Sequence, residues 1–191
     1  MFERGFKAWC ERYSAEKRKE LRLGSSDPLD PHQLASNLGI RVWTPHDVPG
    51  LSSDALEVLL RNDGKTASCW SAVTLIVGLN TVVILNSSHS LGRQSSDLMH
   101  ELSHRILDHG THEMNISAEG VMLLSAYDKQ QEEEADWLSA SLLLPRDALL
   151  AIKRRGLEMH EGAKMYGVSV SMLKYRMAMT GVNRQFAANP P

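Results

Sequence analysis

The segment His100-Glu101-Leu102-Ser103-His104 places two histidines four residues apart. On a helix this spacing puts both imidazoles on one face, where they can reach a single metal ion. Glu101 is rotated away from them by one residue, which suits a base acting on metal-bound water better than a third ligand. The segment therefore predicts a helix that carries part of a metal site, if a third ligand comes from elsewhere in the chain.

The residues around this motif are those that a helix requires. Apolar side chains recur at the helical period from Leu98 to Ile106. Ser95 or Ser96 can cap the helix at its start, and Gly110 can end it. We therefore predict that the histidine pair lies in a helix.

A second helix, predicted over residues 129–144, begins with an acidic run. Glu132, Glu133 and Glu134 point in three directions on a helix, so only one of them can join the histidines. Because Glu132 shares a face with Asp136, we predict Glu132 as the third ligand and Asp136 as hydrogen-bond partner of a metal-bound imidazole. The run would also suit a solvated acidic first turn, favoured by the helix dipole. The upstream histidines and the apolar remainder of the helix favour the ligand.

The chain resembles the ImmA/IrrE metallo-endopeptidases, which carry a zincin motif and then a helix reading Glu-x-x-Ala-Asn/Asp that ends Leu-Leu-x-Pro. The matching residues are His100-Glu101-Leu102-Ser103-His104, Glu132-Glu133-Glu134-Ala135-Asp136-Trp137-Leu138 and Leu142-Leu143-Leu144-Pro145. Asp136 stands where asparagine is common in that family. The later run Gly162-Ala163-Lys164-Met165-Tyr166-Gly167-Val168-Ser169 is similar to the helix-turn-helix-like element that follows in the family.

We expect an α+β fold in which a small sheet packs on the motif and ligand helices. Its strands are predicted near residues 40–43, 70–77 and 81–85, with the last two joined as a hairpin. The resemblance implies a zincin-like minimal metalloprotease domain over 1–156 and a helix-turn-helix-like segment over 157–183. The tail 184–191 is expected to be disordered.

The resemblance also implies a zinc-dependent endopeptidase that cleaves a helix-turn-helix repressor, in a stress response or in the control of a mobile element. Zinc held by two imidazoles and a carboxylate lowers the pKa of its bound water to about 7, and Glu101 then accepts a proton as general base. Manganese or iron could occupy the same ligands. Tyr127 is our candidate for the oxyanion donor, and a packed loop tyrosine is the alternative. The strand at 81–85 is a candidate sheet edge for aligning an extended substrate.

The remaining histidines are expected to lie outside the ligand set. His109 is five residues from His104 and does not share the ligand face cleanly. Surface or loop positions are predicted for the others, which are His32, His46, His89, His112 and His160.

The composition favours a cytoplasmic protein. The chain has two cysteines in unlike contexts, no signal-peptide stretch at its N-terminus and no apolar run of membrane-spanning length. Its formal charge of -2 gives no electrostatic argument for nucleic acid or an anionic membrane as main partner. An alternative is a DNA-binding regulator or antitoxin-like partner with a structural or vestigial metal site. In the DNA-binding form Lys174 and Arg176, with Lys153-Arg154-Arg155 nearby, contact phosphates.

Overall fold

The structure is a computed structural model, which describes residues 2–62, 70–78, 80–109, 114–116, 122–124 and 128–188. Within these residues the helices are α1 (Phe6–Glu20), α2 (Pro31–Asn37), α3 (Ser53–Leu59), α4 (Leu91–Ile106), α5 (Lys129–Leu143), α6 (Arg146–Arg154), α7 (Met159–Met165), α8 (Val170–Met179) and α9 (Val182–Ala188). The strands are β1 (Arg41–Trp43), β2 (Ala72–Val77), β3 (Asn80–Leu85), β4 (Met114–Ile116) and β5 (Met122–Leu124). The predicted α+β class is therefore confirmed.

The main sheet has the order β1-β3-β2, with β3 parallel to β1 and antiparallel to β2. The prediction that residues 81–85 form a sheet edge is wrong, because they belong to the central strand β3. A hairpin alone does not reveal which of its strands is the edge. The distant strand β1 decides it by pairing with β3, so that β2 is an edge strand of the sheet that the described residues form.

Helix α4 packs against helix α5 and against the sheet strands β2 and β3. Leu98, Met99 and Leu102 of α4 and Leu138 and Leu142 of α5 are fully buried. Each such side chain contributes about 1.5–3 kcal/mol of hydrophobic stabilisation. The helix pair that carries the histidines and the acidic run is therefore part of the main hydrophobic core.

Helix α4 begins earlier than the sequence predicted. Its N-cap is Ser90, not Ser95 or Ser96. The first helical residue, Leu91, is 83% exposed, so this turn adds nothing to the apolar stripe that marked the rest of the helix. The helix ends at Ile106, short of Gly110, because Asp108 adopts the left-handed conformation with φ 52.

Helix α1 is tied to the C-terminal half of α5 by two buried side chains. The Ser14 hydroxyl donates to the Ser141 carbonyl at 3.0 Å, and Arg18 Nη2 donates to the Leu142 carbonyl at 2.7 Å. Burial lowers the pKa of Arg18 to about 10, which still leaves the guanidinium charged at neutral pH. These contacts hold the N-terminal helix against the helix that carries the acidic run.

The C-terminal helices pack on the rest of the protein. Leu173 and Met177 of α8 are buried, and α9 contacts both α6 and α8. Of the tail predicted to be disordered over 184–191, residues 184–188 are instead helical, because Val182 is fully buried and Phe186 packs against the core. Residues 189–191 lie outside the described residues. The division into domains at residue 156 stays a prediction. Among the described helices, none is both long and apolar enough to cross a bilayer.

Candidate metal centre

Helix α4 presents the two histidines of the motif to one another. The Nε2 atoms of His100 and His104 lie 3.0 Å apart, and the ring centroids are 4.7 Å apart. The four-residue spacing places both rings on one face, as the helical period requires.

Helix α5 brings Glu132 to the same point. Its Oε2 lies 3.2 Å from His100 Nε2, and its Oε1 lies 3.5 Å from His104 Nε2. One atom each of His100, His104 and Glu132 can be chosen so that all three lie within 4.8 Å of one another. The N-cap Asp128 accepts hydrogen bonds from two backbone amides in the first turn, and this starts the helix one turn before Glu132.

The other two glutamates of the run point elsewhere. Glu133 faces Lys129 at 3.8 Å, and 46% of its side chain is exposed. Glu134 lies 3.3 Å from His109 Nε2 and is 16% exposed. The structure therefore brings Glu132 alone of the three to the imidazoles, where the sequence placed it.

Asp136 lies behind His100, as the sequence predicted. Its Oδ1 is 3.0 Å from His100 Nδ1, so it holds the ring nitrogen that faces away from Glu132 and His104. Burial alone would lower the pKa of His100, but the hydrogen bond and charge of Asp136, together with the charges of Glu132 and Glu101, outweigh it and raise that pKa. The Asp136 side chain is 75% exposed, so water competes for this contact.

Glu101 lies beside the histidines and is held from the sheet. The hydroxyl of Thr74, on β2, donates a hydrogen bond to Glu101 Oε2. Burial raises the pKa of Glu101, although the bond from Thr74 and the charge of His100 oppose that rise. Sequence reasoning missed Thr74. Its position in a strand predicted to pack near the motif helix was the available signal, but nothing in the spacing linked it to Glu101.

His109 lies behind His104 and was also missed as a contact of the site. Its Nδ1 is 3.0 Å from His104 Nδ1, and its Nε2 is 3.3 Å from Glu134 Oε2. His109 thus lies outside the three residues that meet at the centre, but it contacts one of them, His104. Tyr127, our candidate oxyanion donor, lies outside the described residues.

The donor set suits a divalent transition metal. Two imidazole nitrogens and one carboxylate oxygen are the ligands of many catalytic zinc sites, which leave one position for water. The Nδ1 atoms of His100 and His104 are both engaged from behind by Asp136 and His109, which leaves the Nε2 atoms directed at the shared centre. The arrangement can therefore bind a metal and activate water next to Glu101.

The model of the Peptidase_M78 family, described as the IrrE N-terminal-like domain, matches residues 59–178. The chain belongs to this family. The match runs from α3 to α8 and includes every residue of the centre described above. Among the curated proteins no significant match to the chain was found.

Membership of the IrrE N-terminal-like family confirms the resemblance noted from the sequence and supports a metalloprotease-type function. The DNA-binding alternative counted Arg176 among the residues that reach phosphates. Arg176 is instead fully buried, with Nε donating to the Leu144 carbonyl at 3.1 Å and Nη2 bonded to Glu11 Oε1 at 2.5 Å. Lys174, on the same helix, is exposed, and so are Arg154 and Arg155 of the neighbouring basic run.

Proposed function

We propose that this chain is a zinc-dependent endopeptidase, with His100, His104 and Glu132 as metal ligands and Glu101 as general base. The observation that carries the proposal is the meeting of two helices at one point, where three candidate ligand atoms lie within 4.8 Å of one another. Glu101 is close enough to interact with the charges of His100 and Glu132. When bound, zinc would lower the pKa of its water to about 7 and polarise the scissile carbonyl. Manganese or iron could substitute for it on the same ligands.

In this proposal Glu101 takes a proton from the attacking water and returns it to the leaving nitrogen. The bond from Thr74 engages Glu101 Oε2, so the other carboxylate oxygen is the one assigned to the proton. Asp136 keeps His100 oriented by holding its Nδ1. The oxyanion donor stays open, with Tyr127 as the sequence-based candidate.

The substrate would lie along β2. This strand is an edge of the sheet and carries Thr74 beside Glu101, so an extended peptide pairing with β2 would run past the general base. Ile76 shares the face of Thr74 and is 46% exposed, which would offer an apolar contact to a substrate side chain.

We further propose that the substrate is a helix-turn-helix repressor that controls a stress response or a mobile element, and that cleavage takes place in the cytoplasm. The support is the resemblance to the ImmA/IrrE metallo-endopeptidases, whose targets are repressors of this class. A candidate substrate is such a repressor encoded in a reading frame beside this one.

The test combines metal analysis with a cleavage assay on that repressor. Wild type should hold about one zinc per chain and cut the repressor, while Glu101→Gln should keep its zinc and cleave about 10²–10⁴ times more slowly. His104→Ala and Glu132→Ala should lose both zinc and cleavage. Glu133→Ala, next to the proposed ligand, is the matched control and should keep both.

Two results would overturn the proposal. Cleavage by Glu101→Gln at the wild-type rate would remove Glu101 as base. Full zinc occupancy in Glu132→Ala, together with loss in Glu133→Ala or Glu134→Ala, would show that another carboxylate is the ligand.

A further inference from the structure

We propose that His109 and Glu134 are positioning residues that hold His104 for the metal through a buried relay. This inference rests on the proposed metal site and deepens it. The relay runs from His104 Nδ1 to His109 Nδ1 at 3.0 Å, and from His109 Nε2 to Glu134 Oε2 at 3.3 Å. Its last member lies on the same helix as Glu132.

The end of helix α4 is what brings His109 back to His104. The His109 amide donates to the His104 carbonyl at 3.0 Å, and the Asp108 amide donates to the Arg105 carbonyl at 3.3 Å. With Asp108 in the left-handed conformation, these two bonds form a Schellman motif. The motif ends α4 and sets the His109 ring 5.0 Å from the His104 ring, centroid to centroid.

The hydrogen bonds along the relay can run in one direction that leaves His104 ready to bind a metal. His104 Nε2 faces His100 and Glu132, so as a ligand it must present a lone pair. Nδ1 of His104 then carries the proton and donates it to His109 Nδ1. His109 Nε2 in turn donates to Glu134 Oε2. The relay thus selects the tautomer of His104 that a metal at this centre requires.

Burial distinguishes this relay from the contact behind the other histidine. The side chains of His109 and Glu134 are 7% and 16% exposed, whereas Asp136, behind His100, is 75% exposed. Glu134 Oε1 also accepts a hydrogen bond from Gln130 at 2.9 Å, so the carboxylate is held at both oxygens. Because water competes less for buried hydrogen bonds, we expect the relay to contribute more to metal affinity than Asp136 does.

The experiment measures the zinc dissociation constant of the full chain by competition with a chelator of known affinity. His109→Ala and Glu134→Gln should bind zinc 10–100 times more weakly than wild type. Glu133→Gln makes the same chemical change at an adjacent position that faces away from the centre, and it should bind within about twofold of wild type. Asp136→Asn should weaken binding by less than the two relay variants.

A partial rescue separates the relay from a merely structural role. His109→Asn offers an amide oxygen near the place of Nδ1 but does not reach Glu134 in the same way, so its zinc affinity should fall between wild type and His109→Ala. Thermal unfolding of the metal-free proteins shows whether each variant folds. If His109→Ala does not fold, Glu134→Gln, which keeps the shape of the side chain, carries the test.

Zinc affinities of His109→Ala and Glu134→Gln within threefold of wild type would overturn this inference and leave the proposed function standing. Failure of the wild-type chain to bind zinc would overturn both. These two failures are distinguished by the wild-type measurement alone.

Discussion

The Arg176→Ala substitution should cost about 3–4 kcal/mol of folding free energy. Arg176 is fully buried on α8, and its guanidinium bonds to the Leu144 carbonyl and to the Glu11 carboxylate. Through these partners it joins α8 to α1 and to the end of α5. It also lies over the Trp137 ring, 5.5 Å from the centroid.

The magnitude follows from what each partner loses. A buried carbonyl left without its donor costs about 1–3 kcal/mol, which applies to Leu144. The Glu11 side chain is 29% exposed, so its ion pair lies between the surface class, worth about 0–1 kcal/mol, and the buried class, whose disruption costs about 3–5 kcal/mol. Allowing about 1–2 kcal/mol for Glu11 and the rest for Leu144 and the lost packing gives the total above.

Urea unfolding followed by circular dichroism measures the change in the free energy of unfolding. Thermal unfolding measures the same change as a shift in Tm. For a chain of this length each kcal/mol shifts Tm by about 2–4 °C, so Tm should fall by roughly 10 °C. Lys174→Ala, on the same helix but exposed, is the matched control and should stay within about 0.5 kcal/mol. Arg176→Met keeps much of the packed volume and should lose less than Arg176→Ala.

A loss below 1 kcal/mol for Arg176→Ala would refute the structural role argued here. The DNA-binding alternative makes the opposite prediction. It expects Arg176→Ala to weaken a salt-sensitive DNA complex while stability stays unchanged.

Two further predictions concern the centre. Thr74→Val should lower kcat about tenfold with zinc content unchanged, because Glu101 loses the hydroxyl that orients it. Thr74→Ser keeps a hydroxyl and should retain most of the wild-type rate. Steady-state kinetics measure both, and equal kcat in wild type and Thr74→Val would show that the hydroxyl has no such role. Zinc at 100–1,000 times its dissociation constant should stabilise the apo chain by about 2.7–4.1 kcal/mol and so raise Tm by about 5–15 °C. Differential scanning calorimetry with and without a chelator measures this shift. Glu132→Ala is the control and should show no shift. If wild type also shows no shift, the result would count against a metal site in the native state.

Local patterns in the sequence predicted most of the secondary structure around the centre. The helical period placed His100 and His104 on one face of α4. The same four-residue spacing placed Glu132 and Asp136 on one face of α5. Asp30 followed by Pro31 is the usual pattern of an N-cap and a first helical residue, and helix α2 begins there. These features depend on neighbours within about one turn, so they can be derived without knowing the fold.

Errors arose where exposure or distant pairing decided the outcome. The first turn of α4 lies on the surface, so no apolar stripe marked its start at Ser90. The tail from residue 184 is short and ends in two prolines, but Phe186 packs on the core and Arg146 Nη2 donates to Gln185 Oε1 at 2.6 Å. The central place of β3 in the sheet depended on its pairing with β1, which is more than thirty residues away in the sequence.

The sequence by itself determined which residue types could serve as ligands and the spacing that places them on helix faces, because both follow from residue chemistry and the 3.6-residue period. Only the tertiary structure decided which groups stand behind these candidate ligands. Thr74 of β2 bonds directly to Glu101, which is 27 residues away in the sequence. Glu134 bonds directly to His109, which is 25 residues away, and His109 in turn contacts His104. Such contacts arise from how the sheet and α5 pack against α4, and no periodicity within one element encodes them.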